Sequence, residues 1–152
     1  MELIVDPKAK TTAAEREENH NAVMRTYKMQ EDLAKLMDSV LYEQKQIKDL
    51  QGEAPVIKEY YDSLEAIRSE LVPVKTGRTV LFADEEKLRD KISDIYFGVT
   101  YSDSKPTTSQ NDGLNKLQRD MNTVDKKLVE RKKTYRPKVK EALNGKAKHE
   151  AY

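Results

Sequence analysis

Paired carboxylates are the arrangement in this chain that comes closest to acid–base chemistry. Asp90 and Asp94 are four residues apart, so on a helix they share one face. Two neighbouring carboxylates can serve as acid and base. However, Arg89 and Lys91 flank them, and no Gly-rich or aromatic segment nearby indicates a cleft. We therefore expect no catalytic residue at this pair.

A second group of carboxylates, near the N-terminus, has the composition of a cation site. Glu15, Glu17 and Glu18 lie in a predicted first helical turn, and His20 follows. Acidic residues in a first turn more commonly complement the helix dipole. With two His and no Cys, the chain offers no thiol chemistry, disulfide or Cys-ligated zinc. Phosphate-binding loops and nucleophile elbows are absent as well, so we expect no metal, no cofactor and no enzymatic activity.

The C-terminal part of the chain is strongly basic. Residues 126–148 hold ten Lys and Arg and two Glu, whereas residues 1–125 hold 18 basic and 24 acidic groups. Such a cluster is typical of a patch for nucleic acid or acidic lipid, or of a solvated helix face. Only Tyr135 interleaves the cations, so we do not expect nucleic-acid binding. The residues predicted to bind a partner are Lys126, Lys127, Arg131, Lys132, Lys133, Tyr135 and Arg136.

The elements that must position these residues are helices, because apolar residues recur every three or four positions along most of the chain. A capping box from Thr12 to Glu15 predicts the start of a long first helix, and Gly52 its end in a left-handed cap. The apolar stripe of that helix has one polar interruption, Glu43. The stripe consists of Met29, Leu33, Leu36, Val40, Ile47 and Leu50, widened by Val23, Tyr27, Met37 and Leu41.

Proline and glycine mark the remaining helices. Pro55 suits the first turn of a second helix, which Pro73 ends. Tyr60 and Tyr61 on that helix are expected to place one ring in the core and the other at its rim.

A short third helix is predicted to begin at the cap Asp84 and to end at Gly98. Thr108 or Ser109 is predicted to cap a fourth helix, and Pro137 to break it.

These elements predict an all-α fold, an elongated three- to four-helix bundle with a short extended N-terminal segment. Helices one, two and four are expected to pack together, with the third across one end. The predicted divisions are an extended segment (1–11), a helical bundle closed by Gly145 (12–145) and a flexible tail (146–152). The β-like tripeptide Leu3 to Val5 has nothing obvious to pair with, so it is a disordered terminus or the last strand of a preceding β domain.

The order of segments resembles the helical C-terminal region of bacterial sortilin-type, BNR-repeat β-propeller proteins, many of which are classed as glycosyl hydrolases. The resemblance is carried by Leu3 to Val5 followed by Asp6 to Lys8, then a long Glu-rich helix, then Leu88 to Ile92 and Pro106 to Gln110 before a last helix. Members of the family have Asp-Pro-Arg after the strand, and here Lys8 keeps the charge of that Arg.

The resemblance implies a non-catalytic accessory or interaction module, because the sugar chemistry of the family belongs to a propeller that this chain lacks. Its partner is then a protein, either the preceding β domain or another subunit, in a periplasmic, surface or secreted location. If Met1 is instead the native start, a cytoplasmic, stand-alone helical binding protein is expected, which holds a partner with its first helix or with residues 126–148. No apolar run approaches the length of a membrane span, and the oligomeric state stays open.

Overall fold

The computed structural model describes residues 10–73, 87–102 and 104–149. Within these ranges the chain forms four α-helices that pack around one apolar core. They are α1 (Ala13–Ile47), α2 (Pro55–Leu71), α3 (Leu88–Thr100) and α4 (Thr108–His149). The prediction of an all-α helical bundle is therefore confirmed. The predicted extended tripeptide near the N-terminus and the predicted cap Asp84 lie outside the described residues.

The helix starts follow local hydrogen-bonding rules. Thr12 Oγ1 accepts a hydrogen bond from the Glu15 N–H (3.1 Å), and the Glu15 carboxylate accepts one from the Thr12 N–H (2.8 Å), which confirms the predicted capping box. Pro55 is the first residue of α2, and α2 ends at Leu71, two residues before Pro73, as predicted.

The end of α1 differs from the prediction. The helix tightens after Ile47 into a 3-10 turn, Lys48–Leu50, and the Glu53 N–H bonds to the Leu50 carbonyl (2.9 Å). Gly52 does not take a positive φ angle, so the predicted left-handed cap is wrong. The tighter turn satisfies terminal carbonyls that such a cap would otherwise serve.

The boundaries of α3 and α4 also need correction. α3 continues through Gly98 to Thr100. The cap of α4 is Thr107 rather than Thr108 or Ser109. Its Oγ1 accepts from the Gln110 N–H (3.1 Å), and Gln110 Oε1 accepts from the Thr107 N–H (2.9 Å).

Pro137 lies inside α4 and does not break it, contrary to prediction. A proline at this position leaves the Lys133 carbonyl without its helical donor. Both residues are exposed, so water can bond to that carbonyl, while Tyr135 and Val139 on either side are buried and hold the helix in place. The backbone stays helical past Gly145 to His149, so Gly145 does not close the helix.

α1 and α4 run parallel to each other. Arg25 on α1 donates to Asn115 on α4 (2.9 Å), and eighteen residues further along α1, Glu43 is bonded by Arg136. Partner numbers therefore rise together along the two helices. α2 runs antiparallel to α4, because Glu59 and Glu70 on α2 contact Tyr135 and Lys127 in reverse order; the contacts are Glu59–Tyr135 (2.8 Å) and Glu70–Lys127 (2.8 Å).

The prediction that α3 lies across one end of the bundle is wrong. α3 packs lengthwise along the N-terminal parts of α1 and α4, while α2 packs along the parts of both helices that follow. A Cβ at Gly113 of α4 would lie 2.8 Å from Ile95 Cδ1 of α3, which shows how closely these helices approach. The apolar stripe of α3, with Ile92 and Val99 fully buried, needs a partner along its whole length.

The core follows the predicted stripes with two exceptions on α1. Tyr27 and Leu41, expected to widen its stripe, are exposed, because they lie on the outer face of the helix. On α2, Tyr60 is buried and Tyr61 half-buried, which confirms the expected division between core and rim.

Candidate functional site

The seven residues predicted to bind a partner divide into two groups. Lys126, Arg131 and Lys133 are exposed on the outside of α4. The other four contact α1 or α2 and hold the bundle together. They are Lys127, Lys132, Tyr135 and Arg136. The predicted patch is therefore not one continuous binding surface.

Arg136 and Lys132 surround a buried carboxylate, Glu43, on the facing side of α1. Glu43 is 5% exposed. Its oxygens accept hydrogen bonds from Tyr60 Oη (2.8 Å) and Arg136 Nε (3.1 Å), and Lys132 Nζ lies 4.0 Å away. Lys132 also donates to Ser39. This network links α1, α2 and α4 at one point.

The network fixes the ionisation of its members. Burial by itself would raise the pKa of Glu43, but hydrogen bonds from Arg136 and Tyr60 outweigh it and hold that pKa below its ordinary value. Burial and the bond to the Glu43 carboxylate raise the pKa of the Tyr60 hydroxyl. Glu43 is therefore a charged structural anchor, not a proton donor poised near neutral pH.

Two stacked tyrosines lie beside Glu43. The rings of Tyr60 and Tyr135 are 5.1 Å apart between centroids and inclined by 10°. Tyr135 Oη donates to Glu59 (2.8 Å), and Lys138 Nζ lies 5.7 Å from the Tyr135 centroid. Tyr135, predicted to bind a partner, is thus 7% exposed and belongs to the core.

The seam between the parallel helices α1 and α4 is open along its length. Three successive hollows line it, of about 250, 340 and 400 Å³ from the N-terminal to the C-terminal end. The first is lined mainly by polar groups such as Glu18 and Asn111. The middle one has Leu36 and Val129 at its sides. No helix among the described residues covers this side of the pair.

The third hollow, which we call the C-terminal hollow, has an apolar floor and a basic edge. Tyr42, which is 61% exposed, forms its α1 edge, and Arg136 and Lys140 form its α4 edge. Glu43 is the carboxylate in its lining, and Arg136 and Tyr60 already bond to it. The apolar floor consists of Ile47, Leu50, Val139 and Leu143.

The carboxylates that the sequence suggested for acid–base chemistry or cation binding do not form a reactive group. Asp90 accepts from the Lys87 N–H (3.4 Å) at the start of α3 and pairs with Arg89 (3.3 Å), while Asp94 is exposed. Glu15 belongs to the capping box, whose backbone hydrogen bond lowers its pKa. Among the described residues, no group of three or more His, Cys, Asp or Glu is placed to hold a metal ion.

Exposed aromatic rings form a second apolar feature, at the end of α3. The rings of Phe97 and Tyr101 lie 6.2 Å apart, and Phe97 makes an edge contact with Tyr96 (5.7 Å). Phe97 is 54% and Tyr101 83% exposed. Neither ring lines any of the three hollows.

Sequence reasoning missed the open seam, because an apolar stripe does not show which of its sides stays uncovered. The polar interruption of the α1 stripe at Glu43 was the available indication, since a charged residue at a core position needs a partner. The sequence shows the basic residues of 126–148 that could supply that partner, but it does not show which of them face α1.

Comparisons with protein families, with curated proteins and with solved structures find no match to this chain. None of the described helices combines the length and the apolarity that crossing a bilayer requires.

Proposed function

We propose that this chain is a non-catalytic helical interaction module that binds a protein partner in the open seam between α1 and α4. The observation that carries the proposal is the C-terminal hollow, where an exposed tyrosine and an apolar floor lie beside a basic edge. A large aromatic side chain at the rim of an apolar groove is typical of protein contact sites. The resemblance to the C-terminal region of sortilin-type β-propeller proteins supports an accessory role.

Photo-cross-linking in the cells that make the protein tests this proposal. A benzophenone amino acid replaces Tyr42 in one variant and Tyr27 in another; both tyrosines are on α1 and both are 61% exposed. We expect a discrete protein adduct from position 42 and none from position 27. Equal adducts from both positions, or none from either, would contradict a binding site in the seam.

The relation to a larger protein is tested by the size of the native polypeptide. An antibody raised to this chain detects either a band near 17.5 kDa or one several times larger. The larger band is expected for an accessory module that follows a β-propeller. The smaller band would support a stand-alone helical binding protein.

A stand-alone protein that binds acidic partners is the second candidate, favoured by the lysines on the outer face of α4. Lys126 and Lys133 are exposed on this face and spaced by seven residues, so they lie on one stripe. Binding through this stripe should weaken strongly between 50 and 200 mM salt, on the order seen for phosphate contacts. Binding that does not respond to salt would exclude it.

A further inference from the structure

We infer that the occupant of the C-terminal hollow is an acidic amphipathic helix of the protein partner. This inference rests on the proposed function and names the chemistry of the partner. The helix would lay its apolar stripe on Leu50 and Leu143 and direct carboxylates towards Arg136 and Lys140. It would occupy the fourth position of a bundle that α1, α4 and the α2–α3 pair leave incomplete.

The shape of the seam favours a helix. Two parallel helices present a straight groove, and helices pack into such grooves side by side. Positions 36 and 43 on α1, and position 50 in the 3-10 turn that follows it, face positions 129, 136 and 143 on α4, so the lining repeats every seven residues. From residue 32 to residue 50 the groove extends about 27 Å, which matches a helix of about 18 residues.

The charges favour acidic flanks on that helix. Lys132, Arg136 and Lys140 follow one another at intervals of four, so they form one continuous edge of the seam. The middle hollow has balanced charges, because Asp32 and Asp125 line it together with Lys35 and Lys132. Glu43 is the one carboxylate of the C-terminal hollow among the described residues, and it is already paired, so the net positive charge lies at the C-terminal end of the groove. Lys140 is exposed and has no ion-pair partner in the described part of the chain. Complementary charge on a partner would fix its orientation and reject basic competitors.

The chain itself contains a helix of this kind on the other side of the α1–α4 pair. α2 buries an apolar stripe against α1 and α4, and its flanking Glu59 and Glu70 accept hydrogen bonds from Tyr135 and Lys127 (both 2.8 Å). The α1–α4 pair therefore binds one acidic amphipathic helix already. The open side likewise offers an apolar floor and donors on α4, here the basic edge of Arg136 and Lys140.

The test uses two synthetic, fluorescein-labelled helical peptides of about 18 residues and the full chain. Both peptides carry the same leucine stripe; one has Glu and the other Lys at the flanking positions. Fluorescence anisotropy at 50 mM salt should show binding of the Glu peptide at least about tenfold tighter than of the Lys peptide, because only the first matches the basic edge.

Matched variants localise the binding. Tyr42→Ala and Lys140→Glu should each weaken binding of the Glu peptide by about tenfold, as truncation of a rim anchor or reversal of a facing charge does. Tyr27→Ala and Lys126→Glu make the same changes on the same helices, away from the hollow, and should change binding less than about twofold. Lys140→Glu should also improve binding of the Lys peptide.

Three results would overturn the inference. They are no binding of the Glu peptide, equal binding of the two peptides, or equal losses in the matched controls. A dimer of the free chain in sedimentation velocity that Tyr42→Ala dissociates would overturn it as well, since a second copy would then occupy the hollow. The proposed function would survive these results, because photo-cross-linking from position 42 does not depend on the charge of the partner.

Discussion

At the scale of single residues, Glu43 is a buried charge that joins three helices. A carboxylate at 5% exposure costs free energy unless it is paired and hydrogen-bonded. Tyr60 and Arg136 supply those bonds from two other helices. Glu43 therefore specifies how three helices meet, and it forms one wall of the C-terminal hollow.

Replacement of Glu43 should show how much this network stabilises the fold. In Glu43→Gln, an amide N–H₂ group replaces one of the two oxygens that accept hydrogen bonds from Arg136. Two hydrogen-bond donors then face each other, and one bond is lost. We expect the free energy of unfolding at pH 7 to fall by about 1–3 kcal/mol, as measured by urea denaturation. A loss below about 0.3 kcal/mol would contradict the role assigned to Glu43.

The same variant predicts a pH dependence. The folded-state pKa of Glu43 lies below its unfolded value, so its contribution is complete above the unfolded pKa of about 4.3 and disappears as the pH falls through the folded pKa. The stability difference between the native chain and Glu43→Gln should therefore be constant from pH 7 to pH 5.5 and shrink below about pH 4. A difference that grows on acidification would contradict this sign.

The stacked tyrosines provide a matched control for the network. Tyr60→Phe and Tyr135→Phe remove one hydroxyl each and keep the same ring stack. Tyr60 donates to a buried carboxylate and Tyr135 to Glu59, which is exposed. Urea denaturation should show a loss of about 1–2 kcal/mol for Tyr60→Phe and under about 0.5 kcal/mol for Tyr135→Phe. Equal losses would mean that the buried partner adds nothing.

At the scale of elements, the ends of the helices depend on short hydrogen-bonded motifs. Sequence alone placed the cap of α4 one or two residues too late, because Thr107, Thr108 and Ser109 are all good capping residues. The reciprocal bonds between Thr107 and Gln110 decide among them.

Alanine substitution checks that assignment. Thr107→Ala should lower the free energy of unfolding by about 1 kcal/mol, because the Gln110 N–H loses its acceptor. Thr108→Ala and Ser109→Ala should each stay within about 0.5 kcal/mol of the native chain. The measurement is thermal unfolding followed by circular dichroism. A larger loss of stability for Thr108→Ala or Ser109→Ala than for Thr107→Ala would show that the substituted control residue is the cap.

Pro137 is the costly residue of α4. It removes one helical hydrogen bond, and a proline in a helix interior is about 3 kcal/mol less favourable than alanine. Pro137→Ala should therefore raise the free energy of unfolding by about 1–3 kcal/mol, reduced somewhat by the greater freedom of the unfolded chain. Thr134→Ala, an exposed neighbour, tests helix propensity alone and should gain about 0.5 kcal/mol in the same urea titration. A destabilised Pro137→Ala would show that the ring itself contributes packing.

At the scale of the whole molecule, the parallel course of α1 and α4 decides what is left uncovered. α1 spans about 52 Å, and α2 and α3 together about 45 Å. The two shorter helices therefore fill one side of the α1–α4 pair between them. No further helix among the described residues fills the other side, and that side is the open seam.

Distance measurements between spin labels test the parallel arrangement. The chain has no Cys, so pairs of single cysteines can be introduced without background labelling. Labels at positions 25 and 115 should be close, since these residues are hydrogen-bonded. Labels at 42 and 115 should be roughly 25 Å apart along the axis, because 17 helical residues separate positions 25 and 42. The reverse order of distances would mean that the helices are antiparallel.

The amino-acid sequence by itself determined the local features of this protein: the helical fold class, the capping box at Thr12, the prolines around α2 and the division of the Tyr60–Tyr61 pair between core and rim. Each follows from the spacing of apolar residues or from bonds within four residues, so a short segment contains the information. Only the tertiary structure decided that Arg136 and Lys132 face Glu43, that Lys126 and Lys133 do not, and that α3 lies lengthwise beside α1. The contacts that show this join residues more than 80 positions apart, such as Arg136 with Glu43 and Asn19 with Ser102, and they depend on which sides of the long helices the other elements cover.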